Sequence, residues 1–465
     1  MMRESKTGQY SLGQKMTVVI KRIGINGEGI GYFKNTIVFI KGALPGERVV
    51  VKVTKVFPKY LEAELVKIER ESADRIIPLC PVYEECGGCQ LQHLVYDKQL
   101  VMKRDIIRQA FQKHTKIPMD KLTVKHTIGM KNPWAYRNKS QFQVRESDGV
   151  IKAGLYQQES HQLIDIEECV VQQPNTTKIT AFIKKQLQDL NVPIYDEEKN
   201  SGIVRTLVIR EAIHTEEIQV VFITNSKKLP KKRELIERIQ TAFPQVVSIM
   251  QNVNQEKTSL VFGDETFLVA GKEVISEKMT GITYDLSARA FFQLNPEQTE
   301  KLYRKVANVL ELKGHETVVD AYCGVGTIGL SLAHAVKEVR GMDVIADSIE
   351  DAKHNAERAN ITNVHYEAGK AEEIMPRWID EGFKPDVVIV DPPRSGCDDA
   401  LLDTIKQVQP QKMVYVSCNP STLARDVQQL TPWYTISEIT PYDMFPQTAH
   451  VESVCLLTLK DSKKK

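Results

Sequence analysis

One cysteine stands where a nucleophile would be useful. The run MVYVSCNP is an apolar strand that ends in Ser417, Cys418 and Asn419. A lone cysteine is usually a small buried hydrophobe, but a thiol at a strand end opens onto a crevice instead of a core. The preceding apolar run, DVVIVDPPR, ends in the same way, at Asp391. In open α/β sheets, ligands bind at the carboxyl ends of parallel strands. Cys323 and Cys397 have no comparable setting, and Cys455, inside VCLLTL, reads as core.

A third strand end supplies a ligand loop. In TVVDAYCGVGTIGLSLA an apolar strand reaches Asp320, and a turn containing Gly324 and Gly326 leads straight into a helix. Glycine allows the sharp bend and the close approach of backbone to ligand. A second acid, Asp343, ends the strand EVRGMD about 20 residues further on, where a carboxylate typically binds ribose hydroxyls. The turn is neither a dinucleotide fingerprint nor a phosphate-cradling P-loop. It suits a ligand with a ribose and no phosphate, as S-adenosylmethionine is. Loop, carboxylate and thiol are thus expected at one crevice. A thiol nucleophile also needs a general base nearby. Glu452, in QTAHVES ahead of the final strand, is a candidate that spacing alone does not select.

The elements that must hold these groups can be read from periodicity. From Lys15 to Ile68 short β-rich runs (MTVVIKRI, NTIVFIKG, ERVVVKVTKVF, YLEAELVKI) alternate with the turn segments GINGEGIGYF, ALPGE and PK. Four or five strands over that length suggest a small OB-like barrel. An irregular Pro/Gly/Cys stretch, PLCPVYEECGGCQLQ, follows. Tyr96 to Lys113 reads as a helix, with Leu100, Ile107, Ala110 and Phe111 on one side and charges opposite. Beyond it GIVRTLVIREA, EIQVVFIT, VVSIMQNVN and TSLVFGD read as strands, and KITAFIKKQLQDL and KKRELIERIQTAF as helices. After about Thr283 helix and strand alternate, the rhythm of a doubly wound α/β sheet. The expected layout is a barrel at 1–70, an α+β domain at 71–275 and a Rossmann-like domain at 276–465. The tail KDSKKK reads as a disordered basic end.

Bulk properties narrow the class. The chain is 42% hydrophobic and 26% charged, ordinary for a globular protein. It has no secretory leader pattern and no apolar run that would span a bilayer, so a cytoplasmic protein is expected. Eight cysteines in 465 residues do not make a disulfide scaffold, and clustered ones more often bind metal or do chemistry. The net charge of +2 divides unevenly, with residues 1–70 carrying +7, so the barrel is a candidate RNA-binding module. Nothing marks an obligate protein partner.

The ordered set AYRNKSQF (Ala135–Phe142), FFQLNPEQ (Phe291–Gln298), DAYCGVGTIGL, DPPRSG, YVSCNPSTLARD and HVE (His450–Glu452) resembles the uridine-C5 RNA methyltransferases. That family includes bacterial 23S rRNA enzymes and the tRNA T-loop enzyme. The resemblance implies S-adenosylmethionine as methyl donor, Cys418 as nucleophile and Glu452 as proton acceptor. It implies that Gln293, Tyr322, Asp343 and Asp391 contact the donor or the reacting base. One departure is Asp343 itself, since the ribose-binding acid is often Glu in such enzymes. The resemblance also implies a TRAM domain for the barrel, RNA contacts for the α+β domain at 71–275, and a [4Fe-4S] cluster on Cys80, Cys86, Cys89 and Cys169. Read from spacing alone, zinc remains a rival for these four thiols. Members specific for tRNA typically lack both features, so 23S rRNA is the expected substrate, ahead of tRNA.

Overall fold

The computed structural model describes residues 10–158 and 160–461. The start of the barrel segment, residues 1–9, and the end of the basic tail, residues 462–465, lie outside the described residues. Strands β1 (Lys15–Ile23), β2 (Gly29–Phe33), β3 (Thr36–Ile40), β4 (Arg48–Val56) and β5 (Tyr60–Arg70) close into a barrel of order β1-β2-β3-β5-β4. Alternation builds its core, from Val18, Ile20, Val38, Ile40, Val49, Val51 and Leu61. The segment GINGEGIGYF is only half a turn, because its second half is β2. Glycine is required in that strand by close packing: a Cβ on Gly31 would lie 2.2 Å from Val18 Cγ1.

Helix α1 (Tyr96–His114) follows the cysteine loop. A seven-stranded sheet comes next, built from β6 (Lys139–Ser147), β7 (Val150–Tyr156), β8 (Leu163–Asp165), β9 (Val204–Glu211), β10 (Ile218–Thr224), β11 (Val246–Val253) and β12 (Glu265–Gly271). Helices α2 (Pro174–Asp189) and α3 (Lys232–Ala242) pack on one face of it, over Phe142, Val144, Leu207, Ile209 and Val220. The run TSLVFGD is not a strand. Asn252 and Asn254 side chains donate to the carbonyls of Gly263 and Leu260 at 2.9 and 2.8 Å, satisfying backbone groups that a ladder would otherwise pair. Val261 and Phe262 of that loop then cover Val208, Val221 and Met250 on the sheet's other face.

A hairpin of β13 (Ile275–Met279) and β14 (Ile282–Leu286) leads into α4 (Pro296–Leu310), whose first turn has Asn295 as its cap and proline at N1. Then come β15 (Thr317–Ala321), α5 (Thr327–Leu332), β16 (Glu338–Asp343), α6 (Ala346–Arg358), β17 (Val364–Ala368) and α7 (Ala371–Asp380). They continue with β18 (Val387–Val390), α8 (Asp399–Val408), β19 (Lys412–Ser417), α9 (Pro420–Leu430), β20 (Tyr434–Tyr442) and β21 (Glu452–Leu459). The sheet order is β17-β16-β15-β18-β19-β21-β20, with β21 running antiparallel between β19 and β20. Among the described residues, no helix is long and apolar enough to cross a membrane.

Helix α1 does not pack where its place in the chain suggests. Its residues Met102, Ile106, Ile107 and Phe111 share a core with Leu423, Val427 and Leu430 of α9, so it completes the C-terminal sheet. Charges do not all lie opposite the apolar side either. Lys103 sits in that stripe, four residues before Ile107, and forms an ion pair with Asp443 in which both side chains are fully buried. Asp443 also accepts a 2.6 Å bond from the Tyr96 hydroxyl. Lys103→Met should strand a buried carboxylate and destabilise the protein by about 3–5 kcal/mol. Adding Asp443→Asn should recover part of that loss, because no buried charge remains and the amide carbonyl still accepts from Tyr96. Urea melts of the wild type and both variants measure this.

Candidate active site

The crevice is made by three adjacent strand ends. Asp391 follows β18, Cys418 follows β19, and Glu452 opens β21, whose Ser453 pairs with Ser417 of β19. Glu452 is therefore the first residue of the last strand and not part of the loop before it. Asn419 caps α9, accepting from Ser421 N at 3.0 Å, and Pro420 holds its N1 position. The thiol consequently sits just ahead of a helix N-terminus, where partial positive charge favours an anion. The Asn419 amide donates to the Arg394 carbonyl at 2.9 Å, tying the thiol turn to the DPPR turn.

Electrostatics join these groups. Burial first, then the charges of Glu452 and Asp391, push the Cys418 thiol up to about 12, while Arg394 opposes them. Burial and the Asp391 charge push Glu452 up to about 8, against Arg394 and Lys103. Burial alone raises Asp391 to about 7. Two carboxyls thus exchange protons near neutral pH beside a thiol that is protonated at rest. His450 lies 3.5 Å from Arg394 and is driven down to about 4 by burial and by the cations Arg394, Lys103 and Arg137. It is a neutral imidazole at the mouth of the crevice.

The ligand loop follows β15, the strand next to β18. Tyr322, Gly324 and Gly326 all adopt positive φ. A Cβ on Gly326 would come 2.6 Å from the Tyr366 hydroxyl, whereas one on Gly324 would meet open space. Asp320 is fully buried and accepts from Gly329 N at 2.8 Å, which ties α5 back to β15. The Asp343 carboxylate accepts from Gly324 N at 3.0 Å and Ile345 N at 2.9 Å. Val344 and Ile345 beside it remain exposed, at 62% and 44%. An open backbone turn, a carboxylate and an apolar shelf fit a nucleoside. Tyr322 packs against the core under α8 and α9 and faces Cys397 and Asp398. Gln293 is half-buried ahead of α4, next to Leu294, whose carbonyl accepts from Asn138 N at 3.0 Å. Among the described residues no hydrogen bond joins Gln293 to the thiol or to the acids.

The four remaining cysteines converge. Cys80, Cys86, Cys89 and Cys169 line one cavity of about 260 Å³, with Tyr136, Arg137 and Thr448. Burial raises the thiols of Cys86, Cys89 and Cys169, and charges within the set add to it. Among the described residues, no three His, Cys, Asp or Glu side chains are drawn in to hold a single metal ion.

The sequence did not point to Lys103, to Asp443 or to the contacts by which the segment Asp443–Val451 is held. Gln447 O accepts from Gln90 N and Leu91 N of the cysteine loop at 3.1 and 2.9 Å, and the Tyr136 hydroxyl donates to Pro446 O at 3.0 Å. The available signal was a lysine inside the apolar stripe of α1.

Comparison with known proteins agrees with this geometry. The family model for tRNA (uracil-5-)-methyltransferases matches residues 95–460, and that for the TRAM domain matches residues 10–66. An uncharacterized RNA methyltransferase of Listeria monocytogenes serotype 4b is 60% identical over 97% of this chain and 98% of its own. One of Bacillus anthracis is 55% identical over 99% and 100%. The crystal structure of Pyrococcus abyssi tRNA (uracil-54, C5)-methyltransferase with S-adenosyl-L-homocysteine superposes with a TM-score of 0.75 at 30% identity, covering 95% of this chain and 100% of that one. The chain belongs to the tRNA (uracil-5-)-methyltransferase family and carries a TRAM domain at its N-terminal end.

The raised Glu452 value has a consequence for stability. Ionising this carboxyl disfavours the folded state, since its ordinary value is about 4.5 and its folded one about 8. The penalty is absent below about pH 4.5, grows as pH rises and is complete above about pH 8. Glu452→Gln removes it. The variant's melting temperature relative to wild type should climb between these limits and level off above them. A difference independent of pH would show that Glu452 ionises normally.

Proposed function

We propose that this protein methylates C5 of a uridine in RNA through a covalent adduct on Cys418, with 23S rRNA as substrate. The observation that carries this reading is the placement of Cys418, Asp391 and Glu452 on three neighbouring strand ends, where their charges act on one another. S-adenosylmethionine supplies an electrophilic methyl group. Asp343 would hold its ribose, the Gly324 turn would pass beneath it, and Gln293 and Tyr322 would complete its seat. The C5 carbon of uracil is too weak a nucleophile to take a methyl group unaided. As its S–H proton passes to Asp391, Cys418 Sγ forms a bond to C6, and the C5–C6 π electrons move to C5 and O4. C5 then takes the methyl group. Glu452 removes the C5 proton, the C5–C6 double bond re-forms, and the Cys418 thiolate leaves. Asp391, half-buried beside Glu452, would contact the ring and return the proton to Cys418 Sγ as the thiolate leaves. A cytoplasmic setting keeps the thiol reduced.

Cys418→Ala should form neither adduct nor product. Glu452→Gln should add, transfer the methyl group and then stall, because an amide cannot take the C5 proton. The stalled species should survive denaturing electrophoresis and carry the donor's methyl label, with unmodified 23S rRNA as substrate. Normal turnover by Glu452→Gln would move the base elsewhere. A second reading, a tRNA uridine, is favoured by the P. abyssi tRNA enzyme that matches 95% of this chain. A barrel is therefore compatible with either RNA, and a labelled adduct formed with tRNA but not with 23S rRNA would select the second reading.

The cysteine cavity supports a [4Fe-4S] cluster as the resident group. Four thiols line one space of about 260 Å³, a donor set that suits a [4Fe-4S] cluster, with a single zinc ion as the rival. Anaerobically purified protein should be brown, with broad visible absorbance. Colourless protein with stoichiometric zinc would replace the cluster and leave the ligand set intact.

A further inference from the structure

The cysteine loop and the segment that leads to Glu452 meet at Gln90, the residue directly after Cys89. Its backbone N–H donates to Gln447 O at 3.1 Å, and Leu91 N donates to the same oxygen at 2.9 Å. Its side chain joins the two sides again. The amide nitrogen donates to Gly87 O at 2.9 Å, inside the turn between Cys86 and Cys89, and the amide oxygen accepts from Ala449 N at 3.4 Å. Ala449 immediately precedes His450, and Glu452 follows two residues after that. The barrel closes the junction from a third side. Gly27, in the turn between β1 and β2, has φ +86°, and a Cβ there would lie 2.9 Å from Gln90 Cβ and 3.4 Å from Ala449 Cβ. Gln90 thus has little room to move while the loop keeps its shape.

The segment held in this way is strained. Gln447 has φ +69°, a left-handed backbone that a residue other than glycine keeps only where its surroundings over-determine it. Two sets of contacts do so. Gln99 of α1 accepts from Gln447 N at 3.1 Å and donates to its side chain at 2.9 Å, and the cysteine loop holds its carbonyl. Helix α1 has an anchor of its own, in its core and its buried ion pair. The cysteine loop does not. Residues 80–89 are turns with one isolated bridge, from Cys86 to Gln157, so their shape depends on what the thiols bind. The thiol of Cys418 is held separately, by the cap of α9 and the Asn419 bond to Arg394 O.

We propose that Gln90 is a positioning residue through which a metal centre on Cys80, Cys86, Cys89 and Cys169 fixes the base-bearing segment. Loss of the metal frees Gln447 from its left-handed backbone and loosens the entry to β21, where Glu452 sits, while Cys418 stays in place. The inference rests on the four cysteines holding a metal centre.

The test uses the full-length protein and the hydrogen exchange of its backbone amides. Gln90→Leu, which keeps the bulk and neither side-chain bond, should retain its metal, and the amides of Gln447 and His450 should exchange about tenfold faster. Neither amide is bonded to Gln90, so the gain reports the segment and not a deleted partner. Amides of β18 and β19 should exchange as in wild type, and metal-free wild type should show the same pattern. With the RNA substrate, Gln90→Leu should accumulate methyl-labelled adduct several-fold over wild type, because addition by Cys418 is intact and removal of the C5 proton is slowed. Unchanged exchange at Gln447 and His450, in metal-loaded Gln90→Leu or in metal-free wild type, overturns the inference. Faster exchange throughout β18 and β19 also overturns it, since the metal would then support the whole chain, and so does a variant that forms no adduct. If Gln90→Leu fails to hold metal, the metal-free wild type decides alone. Wild-type protein that carries no metal when isolated anaerobically overturns the reading of the four cysteines itself, and the inference with it.

Discussion

The buried pair of Lys103 and Asp443 holds the working parts of this molecule in register. Its members are 340 residues apart in the chain, and both side chains are sealed from water. Such a pair is weak evidence of stability in itself, because desolvation offsets much of the attraction. Its effect is positional. It fixes the start of the segment that runs from Asp443 to Val451, and Lys103 also donates to Phe445 O at 3.0 Å. Gln99, one turn earlier on α1, exchanges bonds with Gln447 in both directions, at 2.9 and 3.1 Å. The segment is thereby pinned along its length before it delivers Glu452 to the crevice. One edge of it, at Gln447, carries the cysteine loop, and Thr448 lines the cysteine cavity. The cavity and the crevice therefore share a wall.

That shared wall shapes the charge balance of the site. Burial alone raises Asp391 to about 7, and burial together with the Asp391 charge raises Glu452 further. Arg394 and Lys103 bring Glu452 back to about 8. The same cations, with Arg137, keep His450 uncharged. The lysine that positions the segment is thus also a counter-charge for the carboxyl at its end. A group that must accept one proton per cycle needs an affinity close to ambient pH. Burial overshoots that value, and the cations correct it.

Much of this was legible in the sequence, for local reasons. The strand ends at Asp391 and Cys418 announced themselves because an apolar run followed by a proline turn is a local signal, and the glycine turn after Asp320 is another. Where the sequence misled, a non-local contact had decided the outcome. The run TSLVFGD has strand composition, but Asn252 and Asn254 satisfy its backbone from a neighbouring strand. The segment GIGYF looked like a turn because glycine is rare in strands, and only the nearness of Val18 explains it. Helix α1 was rightly placed, but its packing on α9 depends on residues three hundred positions away. Cys169 joined the other three cysteines only through family resemblance, since no spacing rule connects a thiol eighty residues distant.

At the crevice the chain tolerates like charges side by side, the two carboxyls of Asp391 and Glu452. Folding alone would remove such a pair, since it lowers the stability of a chain that is stable by only a modest margin. It persists most simply where the missing charge arrives from outside. At the crevice a methyl donor would bring that charge, as a cation set beside the two carboxyls.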